Sequence, residues 1–332
     1  MFEISVVLPF YNAEKTLERA INSLLNQTFK EFYIILVNNN STDSSYEIAK
    51  KYSQTYKNII LLSESRQGVA FASNTGMRYA QTKYIARFDA DDESLPERIE
   101  KQYKYLEKNP QTDLVGTCVN YFGDEKNIGL RTYVELTNKI RTYHEISINR
   151  FSELQVINPT IMFRKQTAEK FGYYEAGNFP EDYEFFLRWL QAACIIEKLP
   201  DYLLNWHDSQ NRLTRTNANY SYDAFYKIKT PFLAEYLKKN NKFYPKTAIW
   251  GAGKISKKRS ELLKEFGIII DLYIDVSEKK IKQKNCIFYK DLPNAGNLFI
   301  LSYVSNRGAN QEIRQFLISK NYTEGTDFLI VS

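Results

Sequence analysis

Apolar and polar positions fall in alternating blocks along the first part of this chain. Ile4-Ser5-Val6-Val7-Leu8 is an almost unbroken apolar run closed by a proline, so Glu3–Pro9 reads as a strand. Leu17, Ala20, Ile21, Leu24 and Leu25 then recur at helical spacing and predict an amphipathic helix over Ala13–Gln27. Phe32–Val37 and Ile59–Leu62 repeat the strand pattern. Between them, Asn38 to Asp43 is rich in turn and N-cap formers, and a helix runs on through Tyr46, Ile48 and Ala49. A third helix is predicted over Gly68–Ala80 and a fourth strand over Tyr84–Phe88. Strands alternating with helices imply an α/β fold, a mostly parallel sheet between helices. The polar loops at Tyr11, Asn39 and Asp89 each follow a strand, so they converge on one sheet edge, where open α/β sheets bind ligands.

The block pattern continues more loosely. Asp113–Phe122 and Asn158–Arg164 read as strands, Lys165–Phe171 as a short helix stopped by Gly172, and Ile195–Leu199 as another strand. Phe185, Phe186, Trp189 and Leu190 form an apolar stripe on a helix that opens at Glu181 and Asp182. A long helix is expected over Asn217–Asn241. Beyond Pro245 the pattern restarts: strands at Lys246–Trp250, Ile268–Ile274, Asn297–Val304 and Asp327–Val331, with a helix over Arg307–Ser319. This divides the 332 residues into a first domain, 1–240, and a smaller one, 245–332.

Composition changes this picture little. The chain is 43% hydrophobic and 25% charged, a globular profile, and no apolar run is long enough to span a membrane. Met1-Phe2-Glu3-Ile4 offers no basic region before an apolar core, so no signal peptide is expected. Three scattered cysteines argue against a disulfide framework and for a reducing, cytoplasmic compartment. The formal charge of +6 would favour nucleic acid or anionic lipid only if it were clustered, and no nucleic-acid partner is expected.

The candidate chemistry lies in two acidic stretches. Asp89, Asp91 and Asp92 crowd the end of the fourth strand, where they would repel one another unless a cation sat among them. Carboxylates suit hard ions such as Mg²⁺ or Mn²⁺; a solvated acidic turn is the plain alternative. Glu181 and Asp182 occupy a first helical turn, where the dipole favours negative charge, so simple capping competes with a general-base role.

Taken in order, Val6-Val7-Leu8-Pro9-Phe10-Tyr11-Asn12, Leu24 to Phe29, Val37 to Asp43 and Asp89-Ala90-Asp91-Asp92 closely resemble family 2 glycosyltransferases of the GT-A fold, from about Ser5 to about Thr214. The resemblance implies transfer of a sugar from a nucleotide-diphospho-sugar to an acceptor, with inversion and usually with a divalent metal. It assigns the metal mainly to Asp91, with Asp89 between ribose and metal, and His207 as a metal or phosphate contact. Pro9, Tyr11, Asn39, Asn74 and Arg212 would bind the donor. Asp182 would be the base, with Glu181 beside it. Asn39 stands where relatives usually carry aspartate, and Ser73 where many carry a basic residue. A glycan or lipid-linked acceptor, as in bacterial surface polysaccharide synthesis, peripheral association with the inner membrane face and a homo-oligomer all fit such relatives. An acceptor for an N–H of the base leans the donor toward a UDP-sugar.

The second domain resembles a small Rossmann-like α/β domain. Gly251 and Gly253 suit a dinucleotide turn and Asp275 a ribose contact, yet Ser256 replaces the third glycine. Packing or oligomerisation is its simpler use. Two rival functions stand beside the transferase: a degenerate nucleotide-sugar-binding protein, and an NAD-linked enzyme run by this domain.

Overall fold

A computed structural model describes residues 2–208, 215 and 217–332. The chain divides into two compact units, residues 1–146 with 155–219, and residues 147–154 with 220–332.

The elements follow in chain order: β1 Ile4–Phe10, α1 Leu17–Leu25, β2 Phe32–Asn38, α2 Ser45–Thr55, β3 Ile59–Ser63, α3 Val69–Tyr79, β4 Tyr84–Arg87, β5 Glu93–Ser94 and α4 Arg98–Lys108. Then come β6 Leu114–Phe122, α5 Ile128–Lys139, α6 Tyr143–Asn149, β7 Met162–Arg164, α7 Lys165–Phe171, α8 Glu181–Gln191 and β8 Ile196–His207. They build an eight-stranded sheet of order β3-β2-β1-β4-β7-β6-β8-β5. Strands β3, β2, β1 and β4 run parallel, β7 turns antiparallel between β4 and β6, and β8 is parallel to β6. All seven residues of β1 are buried, which is why the strand reads as a continuous apolar run rather than an alternation. Leu17, Ala20, Ile21 and Leu24 of α1 pack into the core formed with Ile4, Val6 and Leu8. Helix α3 lies close on the sheet: a Cβ at Gly76 would come within 2.5 Å of Val7 Cγ1.

Several elements differ from the sequence expectation. Strand β8 does not stop at Leu199 but runs to His207. Register shifts opposite it at Thr117 and Cys118 absorb the Pro200-Asp201 interruption, so pairing resumes at Tyr202. Helices α5 and α6 lie in a stretch where no element was expected, although Leu130, Tyr133 and Val134 of α5 fall at helical spacing and pack toward the core. The strand expected over Asn158–Arg164 is a 3₁₀ turn, Asn158–Thr160, followed by the short β7.

The second unit contains α9 Tyr222–Asn240, β9 Lys246–Trp250, α10 Lys254–Glu261, β10 Ile269–Asp275, β11 Cys286–Phe288, β12 Ile300–Ser302, α11 Arg307–Ser319 and β13 Phe328–Ile330. Its five strands are all parallel, in the order β11-β10-β9-β12-β13 expected of a Rossmann-like sheet. Helix α9 belongs to this unit. Its buried Lys229 donates to the carbonyl of Phe151 at 2.8 Å, and Tyr236 Oη to that of Gly325 at 2.7 Å. Among the described residues, no helix is long and apolar enough to cross a membrane.

Candidate active site

The polar loops after β1, β2 and β4 meet at one edge of the first sheet. The loop after β1 is tied to the loop after β2: Asn12 N–H donates to Ser41 Oγ at 3.1 Å, Thr42 N–H to Asn12 Oδ1 at 2.8 Å, and Asn39 N–H to the Phe10 carbonyl at 2.9 Å. Pro9 is buried in this corner and Tyr11 is exposed.

Asn39 is buried, and both ends of its amide are engaged. Nδ2 donates to the carbonyls of Glu64 at 3.0 Å and Arg66 at 2.8 Å, while Oδ1 accepts from Gly68 N–H at 2.8 Å. The side chain thus closes the 64–68 loop over the end of β2. Glu64 braces that loop from inside, accepting from Arg66 Nε at 3.0 Å and Thr75 Oγ1 at 2.6 Å. These hydrogen bonds, Arg66's first, hold the Glu64 carboxyl down to about 2.

Asp89, Asp91 and Asp92 bring carboxylate oxygens within 4.8 Å of one another. Each is positioned differently. Asp89 Oδ1 pairs with buried Arg87 Nη1 at 2.7 Å. The Asp91 carbonyl accepts from Arg19 Nη2 at 2.6 Å. Asp92 is buried and accepts from His207 N–H at 2.9 Å, locking the acidic turn to the end of β8. Behind the turn, buried Arg98 donates to the Arg87 carbonyl at 2.7 Å. Burial pulls its guanidinium down to about 9 against the opposing pull of Asp92 and Asp89. Burial also opposes the charge on Arg87, but Asp89, Tyr174 and Glu181 together more than restore it. These arginines were not anticipated from sequence. The available signal was a basic residue, Arg87, inside an otherwise apolar strand.

Across from this turn, α8 starts at Glu181. Asp182 is half-buried with its carboxyl group enclosed, and Tyr183 N–H donates to its Oδ1 at 2.7 Å. Burial, then the negative charges of Glu181 and Asp89, push this carboxyl up to about 7. Glu181 acts in turn on Arg87, so the two acidic stretches share one electrostatic field.

A family model described as glycosyl transferase family 2 matches residues 5–172, half of the chain. This chain belongs to glycosyltransferase family 2. An uncharacterized glycosyltransferase of Methanocaldococcus jannaschii is 34% identical over 68% of this chain and 78% of the relative. The O-antigen biosynthesis glycosyltransferase WbnJ of Escherichia coli is 30% identical over 71% of this chain and 89% of its own length. The fold is that of S. aureus TarS, solved with UDP-GlcNAc, at a TM-score of 0.58 and 20% identity over 80% of this chain and 71% of TarS.

The remaining expected site residues of this glycosyltransferase divide. Asn74 does not point to an open cleft: its Nδ2 donates to the Tyr174 carbonyl at 2.8 Å and its Oδ1 accepts from Tyr174 N–H at 3.0 Å. It anchors Tyr174, whose hydroxyl donates to Asn158 Oδ1 at 2.6 Å beside the Arg87–Asp182 field. His207 stacks on Phe122 at 5.2 Å, and its Nε2 is 4.0 Å from Glu93 Oε2. It is not part of the three-carboxylate group. Burial, and then Arg19, lower its pKa and favour the neutral ring. Arg212 lies outside the described residues.

Proposed function

We propose that this glycosyltransferase moves a sugar with inversion from a UDP-sugar to a glycan or lipid-linked acceptor, as a step in building a surface polysaccharide. The observation that carries the reading is Asp182. Its carboxyl is held near neutrality opposite the acidic turn, the condition in which a side chain both accepts and releases a proton at physiological pH. Asp182 takes the proton of the acceptor hydroxyl as that oxygen attacks the anomeric carbon, and the bond to the nucleoside diphosphate breaks on the opposite face. Asp91 and Asp89 would hold Mn²⁺ or Mg²⁺, which when bound supplies charge neutralisation for the leaving diphosphate. The fit is supported by three carboxylates gathered within 4.8 Å, a hard-oxygen donor set. Arg87 fixes one Asp89 oxygen, and Asp92 orients the turn.

Asn39 enters as a shaping residue. With both amide hydrogens on the 64–68 loop, only its Oδ1 has a lone pair left for an N–H of the base. The UDP preference also draws on TarS, which was solved with UDP-GlcNAc, and the polysaccharide setting on WbnJ, named for O-antigen synthesis.

The test is a thermal-shift titration of UDP- and GDP-sugars with and without Mn²⁺, on the parent and on Asp91→Ala. The expected result is a Mn²⁺-dependent rise in melting temperature with UDP-sugars, lost in Asp91→Ala. Tighter GDP-sugar binding would overturn the base assignment. An undiminished Mn²⁺ dependence in Asp91→Ala would overturn the metal assignment.

A further inference from the structure

The positive charge of this chain is concentrated in two short stretches of the second unit. Residues 254–260 and 276–284 contain eight lysine and arginine side chains and one acid, Glu278, a net of +7. The whole chain is +6, so everything outside these stretches is close to neutral.

The two stretches form one surface. The first is helix α10, and the second is the turn that leaves β10. Lys257 Nζ donates to Gln283 Oε1 across the join and lies 4.7 Å from the Tyr273 ring. Lys280 Nζ sits 3.2 Å from Asp275 Oδ2 and 3.6 Å from the point a Cβ on Gly253 would occupy. Lys258 is paired with Asp223 at 2.8 Å. Among the described residues, Lys254, Lys279, Lys282 and Lys284 are exposed and have no acidic group within 4.0 Å. Two aliphatic side chains stand among them. Ile255 is 62% exposed and Val276 is 61% exposed.

We infer that this surface docks on an anionic lipid bilayer. Charge complementarity carries the inference: a polybasic face this dense is attracted to a negatively charged leaflet. The side-chain types favour lipid over nucleic acid. Seven of the eight cations are lysine, a hydrated point charge suited to a diffuse anionic surface rather than to bidentate phosphate readout. Within the two stretches the exposed apolar side chains, Ile255 and Val276, are aliphatic and suited to entering the headgroup region. The exposed ring of Tyr222, 5.7 Å from Arg259, is of the amphipathic kind that sits at a membrane–water interface. The inference is independent of the chemistry proposed at Asp182, and concerns where the protein works rather than what it transfers.

The experiment is co-sedimentation of the full chain with vesicles of phosphatidylcholine alone and of phosphatidylcholine mixed with phosphatidylglycerol. Binding should require phosphatidylglycerol and weaken as salt is raised. A variant combining Lys254→Gln, Lys279→Gln, Lys282→Gln and Lys284→Gln removes only exposed, unpaired charges, so its melting temperature should match the parent's. Its partition onto the anionic vesicles should fall by about 100-fold or more. Ile255→Ser, which leaves the charge unchanged, should also weaken binding, whereas a purely ionic contact would not notice it. Equal binding to both vesicle types, or retention by the four-lysine variant, would overturn the inference. So would a duplex DNA that displaces the protein from the vesicles at the same salt, since the surface would then be a nucleic-acid site.

Discussion

Replacing Asp182 by asparagine separates a base from a helix cap, because the two roles move stability in opposite directions. The asparagine oxygen can still accept from Tyr183 N–H, as Asp182 Oδ1 does at 2.7 Å, so the local shape is kept. What is lost is an ionisable group whose carboxyl is pushed up to about 7 by burial, Glu181 and Asp89. In the unfolded chain an aspartate gives up its proton near pH 4. Between pH 4 and about 7 the native state therefore holds a proton that the unfolded state has released, and stability falls as pH rises through that window. A rise of about three pH units corresponds to about 4 kcal/mol at full weight. Partial exposure and sharing with Glu181 reduce this, and about 2 kcal/mol is the figure we carry forward. Asp182→Asn should thus match the parent near pH 4 and be about 2 kcal/mol more stable at pH 8. Its transfer rate should fall by about 10²–10⁴-fold with donor affinity unchanged. In the parent, the rate should climb with pH through about 7, where Asp182 becomes an unprotonated acceptor. Urea melts across the pH range, with donor titration and transfer rates on the same samples, make the measurement. A variant that loses stability at pH 8 and keeps the parent rate would refute the base role and leave Asp182 a cap.

Asn39→Asp puts a carboxylate against the carbonyls of Glu64 and Arg66, where the amide now donates twice. It should cost about 2–4 kcal/mol, read as a lowered urea midpoint, and weaken rather than improve nucleotide binding. Glu64→Gln removes the charge and turns one of the two oxygens that accept from Arg66 and Thr75 into an NH₂ donor, and should cost about 1–3 kcal/mol at neutral pH. The parent's advantage is present above the ordinary glutamate range and fades as pH falls toward about 2, so parent and variant should converge in acid. Gly76→Ala drives a methyl to 2.5 Å from Val7 and 3.0 Å from Val37, where α3 packs on the sheet. Overpacking of about 1–3 kcal/mol should outweigh the helix-propensity gain of about 1 kcal/mol, giving a lower melting temperature.

The legible and illegible parts of this molecule differ by the range of the interactions that fix them. Strands β1, β2 and β4 were visible because parallel strands buried on both faces need unbroken apolar runs, the half-exposed edge strand β3 because it is still an apolar run, and the turns between them need their own residue types. The second half of β8 was hidden because Pro200-Asp201 looks like a stop, and only the irregular register of β6 makes room for it. Helix α9 continues the first unit in sequence, yet its Lys229 is used to bind the carbonyl of Phe151 within the second. The same distinction runs through the site. Asp89, Asp91, Asp92, Glu181 and Asp182 were recognisable as residue types in a pattern. The partners of Asn39 and Asn74 were not, since they lie 25 to 100 residues away.

Those long-range partners also bear on why so acidic a site is compatible with a stable fold. Carboxylates at Asp89, Asp91 and Asp92, with Glu181 and Asp182 across from them, would repel one another in a bare cluster. Arg87 is placed beneath Asp89, and Arg98 behind Arg87, where burial strengthens each attraction. The Asp182 carboxyl is raised first by its burial and then by the repulsion from Glu181 and Asp89 that remains. The two buried cations therefore neutralise the turn in part, holding it in shape while leaving an excess of negative charge toward the open edge of the sheet. A third buried guanidinium facing Asp182 would have lowered its carboxyl and removed its ability to take a proton near pH 7. The partial compensation is what supports reading Asp91 and Asp89 as cation ligands and Asp182 as the base: one acidic field, balanced unevenly so that its two ends can do different work.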